Sequence, residues 1–208
     1  MEITWHGDRC FTIKGKNTTV VIDPYEKSDH LLEKVKANTV LLTGDYEGTA
    51  KLRAGAEDAH IINWPGEYEI SGAAIVAIPS YTKEKEEGDT KKGRIILFSF
   101  IVDDIRLCHL GNFGGELDEE TMEKIGDVDV LMVPAAGKEA VDSKKAQEII
   151  ESIDPRVVVP MNYKANEVEI LLKQLGITDP RREDKLIISD KGQLPEEKTE
   201  FVLLNMFP

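Results

Sequence analysis

Val40-Leu41-Leu42-Thr43, running on into Gly44-Asp45-Tyr46-Glu47-Gly48-Thr49, is the stretch on which the fold turns. A short apolar run that ends in a polar, glycine-containing segment reads as a buried strand handing the chain to a surface loop. The same pattern recurs upstream in residues 3–5, 10–13 and 18–22, with Gly15-Lys16-Asn17 turning between the last two. Ser28 or Asp29 is placed to cap a helix through Lys36, whose Leu31, Leu32 and Val35 share one face. Downstream, residues 60–63, 73–78, 94–100 and 105–110 are apolar or β-branched strand candidates. Asp118 then caps a helix that Gly126 closes after Ile125.

The second half alternates more regularly. Residues 128–133 read as a strand. Asp142 caps a helix carrying Ala146, Ile149, Ile150 and Ile153 on one face, and Asp154-Pro155 stops it. Residues 156–159 read as a strand, 166–175 as a helix ended by Gly176, and 201–204 as a last strand. Strands gathered in one half and strand–helix alternation in the other predict an α/β fold, with two sheets and helices packed outside them. The length of 208 residues suits one domain spanning 1–208.

Composition narrows the partners. The chain carries 26 Lys and Arg against 39 Asp and Glu, a net charge of −13, and such a field repels nucleic acid and anionic membrane surfaces. No apolar run reaches membrane-spanning length and no secretory signal opens the sequence, so a cytoplasmic protein is expected. In that reducing compartment Cys10 and Cys108 read as two buried free thiols. The mixed-charge cluster from Lys83 to Lys92 reads as a solvated hairpin tip.

Few residues form a recognisable catalytic pattern. His6, His30, His60 and His109 contain no His-x-His or His-x-x-x-His pair, so no local sequence places two imidazoles on one ion. Cys108 and His109 are adjacent, but neighbours on a strand point to opposite faces and cannot act as nucleophile and base. There is no Gly-x-Ser-x-Gly elbow and no Walker loop. Gly111-Asn112-Phe113-Gly114-Gly115 follows a strand and precedes a helix, a setting that can cradle phosphate, yet it lacks dinucleotide spacing.

Several segments, in order, resemble the metallo-β-lactamase superfamily, in particular the small zinc-dependent hydrolases related to ascorbate-phosphate lactonases. Ile3-Thr4-Trp5-His6-Gly7-Asp8-Arg9-Cys10-Phe11 is similar to that family's opening strand and turn, and Val21-Ile22-Asp23-Pro24 to its Ile-Asp-Pro step. Trp64-Pro65-Gly66-Glu67-Tyr68-Glu69, His109-Leu110-Gly111-Asn112 and Val159-Pro160-Met161-Asn162-Tyr163 extend the likeness to about residue 176. The resemblance implies a four-layer αβ/βα sandwich of two mixed sheets with helices outside, and a site at one edge between them. It also implies one or two zinc ions whose bound hydroxide attacks an ester, lactone or phosphoester.

The ligands that the resemblance implies fall on the wrong residues. The His-x-His-x-Asp-His loop falls on Gly44, Tyr46, Gly48 and Thr49. The histidine after Pro79 falls near Thr82, the bridging aspartate on Asn112 and the last histidine on Asn162. Glycine has no donor, and threonine and asparagine offer only neutral oxygens, which do not offset the desolvation of a divalent ion. No cofactor and no catalytic residue is therefore expected. Asp8, Gly44, Tyr46, Gly48, Thr49, Thr82, Asn112 and Asn162 become candidates to line a vacated polar pocket, open to a small polar ligand or a protein partner. Two enzyme alternatives stay open: a weakly held metal on Asp8, Asp45 or Glu47, and a metal-free route through Cys10 or Tyr46. Asn112 and Asn162 are also expected to hydrogen-bond each other and hold the two halves together.

Overall fold

A computed structural model describes residues 1–24, 35–44, 58–82, 93–135, 141–163 and 165–207. In chain order the strands begin with β1 (Glu2–Trp5), β2 (Phe11–Lys14), β3 (Thr19–Ile22), β4 (Thr39–Leu41) and β5 (His60–Ile62). Then come β6 (Gly66–Ile70), β7 (Ala73–Tyr81), β8 (Arg94–Val102), β9 (Ile105–His109), β10 (Val130–Pro134) and β11 (Val157–Met161). The last are β12 (Arg181–Glu183), β13 (Leu186–Ile187) and β14 (Glu200–Leu204). Helices α1 (Glu119–Ile125), α2 (Ser143–Ile153) and α3 (Ala165–Gln174) interrupt the second half.

Among the described residues the strands form a six-stranded sheet, β13-β1-β2-β3-β4-β5, and an eight-stranded sheet, β12-β14-β11-β10-β9-β8-β7-β6. Both are mixed. Strands β6 to β9 run antiparallel, whereas β9, β10, β11, β14 and β12 run parallel to their neighbours. The helical crossovers that parallel pairing demands are the α segments legible in the sequence.

Alternation along each strand sorts the side chains into layers. Ile3, Trp5, Phe11 and Ile13 of the small sheet meet Phe98, Phe100, Leu107, Met132 and Val159 of the large one in an apolar layer between the sheets. Each such fully buried side chain contributes on the order of 1.5–3 kcal/mol of transfer free energy. The opposite face of the large sheet, with Leu97, Cys108, Leu131 and Val158, is covered by Ile125, Ala146, Ile149 and Leu171 of the helices. This arrangement is the αβ/βα sandwich that the sequence predicts. On the outer face of the small sheet, Val21 and Val40 pack with Val35, Ala37, Leu42 and Ala59. The helix expected from Ser28 or Asp29 lies outside the described residues except for its end, where 35–37 carry no helix. His30 and the 83–92 hairpin tip lie outside them too.

The predicted helix ends that fall on described residues are present. Asp118 Oδ1 accepts from Thr121 N at 2.8 Å, and Asp142 Oδ1 from Lys145 N at 2.9 Å. Gly126 and Gly176 take positive φ (68° and 69°), as does Asp154 (49°) at the end of α2. The stretch after β4 leaves its own sheet at once. Ile96 N donates to Thr43 O at 2.8 Å, and Gly44 bridges Ile95, so this segment stitches the small sheet to β8 of the large one.

Candidate functional site

Four turns meet where strands of both sheets end: Gly7-Asp8 after β1, Thr43-Gly44 after β4, Gly111-Asn112 after β9 and Asn162 after β11. Asn162 links three of the segments at this end. Its Nδ2 donates to Asn112 Oδ1 at 2.8 Å, and its backbone N–H donates to Asp8 O at 2.9 Å. Asn162 sits at φ +54° and Asp8 at φ +45°, left-handed backbone that asparagine and aspartate tolerate better than most residues. Trp5 Nε1 also donates to Asp8 O (3.1 Å), and the Trp5 ring stacks on Tyr163 at 5.2 Å. The amide pair expected from the sequence therefore exists; it joins the β9 and β11 ends of the large sheet, and the Asn162 backbone bond to Asp8 reaches the small one.

Behind this cluster lies a buried polar layer. Asp23 is fully buried and accepts from both Thr43 N (2.8 Å) and Thr43 Oγ1, with Arg9 Nε 3.6 Å away. Burial pushes the Asp23 carboxyl up to about 6, against the opposing pull of Arg9 and the Thr43 hydrogen bonds. His109 Nδ1 accepts from Gly111 N at 3.2 Å, which leaves the ring proton on Nε2 to be donated to Arg9 O at 3.1 Å. Burial lowers that imidazole to about 3. His109 is thus a neutral structural residue, edge-on to Phe11 at 5.7 Å. Cys108 faces the helices instead, and burial pushes its thiol up to about 12. Both cysteines are buried and outside any disulfide, and Cys108 and His109 diverge as strand geometry requires.

His6 Nε2 pairs with Thr12 Oγ1 at 2.8 Å while Nδ1 is buried without a partner, and burial lowers the ring to about 4. His60 is exposed on an edge strand.

The predicted pocket residues separate into groups. Asp8, Asn112 and Asn162 come together as described. Gly44 is half-buried and held against β8. Thr82 is spent on Gly93, donating its N–H to Gly93 O (3.0 Å) and accepting Gly93 N on Oγ1 (3.2 Å), which closes the base of the β7–β8 hairpin. Tyr46, Gly48 and Thr49 lie outside the described residues, as do Asp45 and Glu47.

The sequence did not mark out a cleft of about 230 Å³ beside Gly44, whose walls include Thr43, Trp64, Pro65, Tyr81 and Arg94. Trp64 is 68% exposed and Tyr81 50%. An aromatic in a polar, proline-containing turn, as in Asn63-Trp64-Pro65, is the signal that went unread.

Two face-to-face mixed sheets, with helices on an outer face and turns gathered where strands of both sheets end, define a metallo-β-lactamase fold. The chain belongs to the β-lactamase superfamily, whose domain profile matches residues 2–162, and within it to the UPF0173 proteins. A UPF0173 protein of Pyrococcus abyssi is 30% identical over 179 residues, covering 78% of this chain and 83% of that one. A UPF0173 metal-dependent hydrolase of Thermococcus onnurineus is 25% identical, covering 78% and 84%. Among solved structures, a protein described as a zinc-dependent hydrolase of the metallo-β-lactamase superfamily from Thermotoga maritima superposes with a TM-score of 0.78. It is 26% identical, and the match covers 98% of this chain and 99% of that one.

These relatives correct one expectation. The sequence reading calls for no cofactor, whereas proteins named metal-dependent and zinc-dependent hydrolases point to a metal such as zinc. The described residues do not fit a zinc centre by themselves. Among them no three His, Cys, Asp or Glu side chains gather closely enough to hold an ion. Of the implied ligand positions among the described residues, Asn112 and Asn162 are neutral and bonded to each other, and Thr82 is turned to Gly93.

Proposed function

We propose that this chain is a non-catalytic, cytoplasmic member of its family, a binding or scaffold protein that takes a small polar ligand or a protein partner. The observation that carries the reading is the Asn162 to Asn112 hydrogen bond of 2.8 Å together with Asn162 N to Asp8 O. A hydrolytic centre needs an activated water and a group that takes up charge as the bond breaks. Two amides neither ionise at physiological pH nor activate water, and here they bond each other across two turns of the large sheet. His109, the nearby imidazole, is neutral, buried and saturated on both nitrogens. A metal such as that of the relatives does not by itself reverse this, since an ion can be structural as readily as catalytic.

The relatives' names favour a second reading, a metal-dependent hydrolase; the family resemblance adds small esters, lactones or phosphoesters as its substrates and a remodelled metal site. One assay separates the two. Model ester, lactone and phosphoester substrates are incubated with the protein, with and without added Zn²⁺ or Mn²⁺. Turnover at the uncatalysed rate throughout is expected. Turnover above it that Asp8→Asn or Asn162→Ala abolishes overturns the non-catalytic reading.

A further inference from the structure

Strand β13 is an edge of the six-stranded sheet, and its pairing with β1 fixes which backbone groups face outward. Met1 and Ile188 exchange both backbone bonds, Met1 N to Ile188 O at 2.8 Å and Ile188 N to Met1 O at 3.0 Å. Their neighbours in register, Glu2 and Ile187, are therefore a pair without hydrogen bonds between them. The N–H and C=O of Ile187 point away from β1, where the sheet has no further strand among the described residues. Leu186 and Ile188 turn into the layer between the sheets, which leaves the Ile187 side chain on the outer face, 61% exposed. Ser189 N donates to Gln193 Oε1 at 2.9 Å, and the free edge ends there.

Beside this edge runs a groove of about 520 Å³ between residues 183–187 and 205–207. Both walls belong to a stretch described without a break from 165 to 207. Met206 (63% exposed) and Phe207 (41%) add apolar surface next to Ile187. Among the lining side chains Lys185 is held within the chain, its Nζ 2.9 Å from Glu2 and 5.5 Å from the Phe207 ring centre. Glu183 is matched by Arg181 at 2.9 Å. Asp184 accepts from Asn205 Nδ2 at 2.8 Å, a neutral donor that uses one of a carboxylate's several acceptor sites and balances none of its charge.

We infer that β13 and this groove dock an extended, basic segment of a partner protein. The segment pairs with the Ile187 peptide groups as a further strand, sets an apolar side chain against Ile187, Met206 and Phe207, and brings a cation to Asp184. Backbone pairing at a sheet edge supplies affinity, and the side-chain groove beside it supplies selectivity. Charge decides the partner: at a net −13 the chain attracts a basic segment and repels a second copy of itself. One outward residue gives only two backbone bonds, so the complex is weak and transient. None of Asp8, Asn112 and Asn162 lines the groove, so the inference does not rest on the non-catalytic reading.

The test titrates the full chain, isotopically labelled for NMR, with a short capped peptide alternating lysine and valine. One control peptide carries glutamate for lysine, and another carries backbone N-methyl groups that forbid strand pairing. Saturable binding at millimolar peptide is expected, with hydrogen exchange of the Ile187 amide slowed at least tenfold at saturation. Both controls are expected to bind at least tenfold more weakly. Ile187→Lys, which sets a like charge against the peptide, is expected to lose at least tenfold. Asp184→Asn keeps an acceptor for Asn205 and is expected to lose about threefold, the worth of one exposed ion pair. Both variants keep their Tm, since both side chains are exposed. Absence of saturable binding, equal affinity for either control, or an Ile187 amide untouched at saturation overturns the inference. So does Ile187 protection that rises with protein concentration alone, which assigns the edge to a second copy.

Discussion

Gly111 and Thr43 lie so close that a Cβ added to the glycine would sit 2.8 Å from Thr43 Cβ, on a backbone at φ +57°. One residue comes from the end of β9 in the large sheet, the other from the end of β4 in the small one. The contact sets how near the two strand ends stand, and with it the spacing of the Asn112 turn from the Asp23–Thr43 pair. Gly111→Ala combines a left-handed non-glycine residue with overpacking, and is expected to lower stability by roughly 2–4 kcal/mol. Denaturant unfolding measures it. A loss below about 0.5 kcal/mol, within the range of an ordinary surface change, would show the contact to be slack.

The amide pair can be weighed by a double-mutant cycle. Asn112→Ala, Asn162→Ala and the double variant are expected to give a coupling of about 0.5–1.5 kcal/mol, the net worth of one protein hydrogen bond. Asn162→His is expected to lose roughly 1–2 kcal/mol, because it breaks the bond and places a less tolerant residue at φ +54°. An equal or higher Tm for that variant counts against a joining role.

Acid stability has an unusual composition. Asp23 titrates near 6 when folded against 3.8 unfolded, so its contribution is fully present below 3.8 and is lost as pH rises through 6. His6 and His109 act the other way. Their folded values, about 4 and 3, lie below 6.5, so what they contribute is present above 6.5 and is lost as pH falls through 4 and 3. Near pH 5 Asp23 therefore offsets part of the acid sensitivity set by the histidines. Asp23→Asn is expected to steepen the rise of unfolding free energy with pH between 4 and 6 by about 1.4 kcal/mol per pH unit. Urea titrations at half-unit steps would read it, and a flatter profile in the variant would contradict the assignment.

Much of the fold was legible because its strongest signals are local. Asp118, Asp142, Gly126 and Asp154 mark the helix ends in the sequence as plainly as in space. The apolar runs of β8 to β11 announce strands buried on both faces. Among the described residues, the three strands left unread are edge pieces. β6 was seen only as the motif Gly66-Glu67-Tyr68-Glu69, and none of its residues is fully buried. β12 is Arg-Arg-Glu and β13 two residues long, so their pairing rests on backbone hydrogen bonds that no side-chain pattern reports. The site divides in the same way. Asn112 and Asn162 could be matched because each follows a strand at a recognisable offset. The cleft brings together Trp64, Tyr81 and Arg94 from three different strand ends, a meeting fixed by the β6–β7–β8 register and by no spacing along the chain.

The pairing of β1 with β13, Glu2 opposite Ile187 and Ile3 opposite Leu186, bears on how the chain is made. The first sheet is nearly complete by Ile62, yet its apolar inner face has no partner until β8 to β11 follow, and its β1 edge stays open until residue 186. At 5–20 residues per second that face remains uncovered on the ribosome for on the order of ten seconds. A nascent chain stalled midway would therefore present Ile3, Trp5, Phe11 and Ile13 to whatever chaperone is nearest, and synthesis speed, as much as final stability, would govern the yield of folded protein.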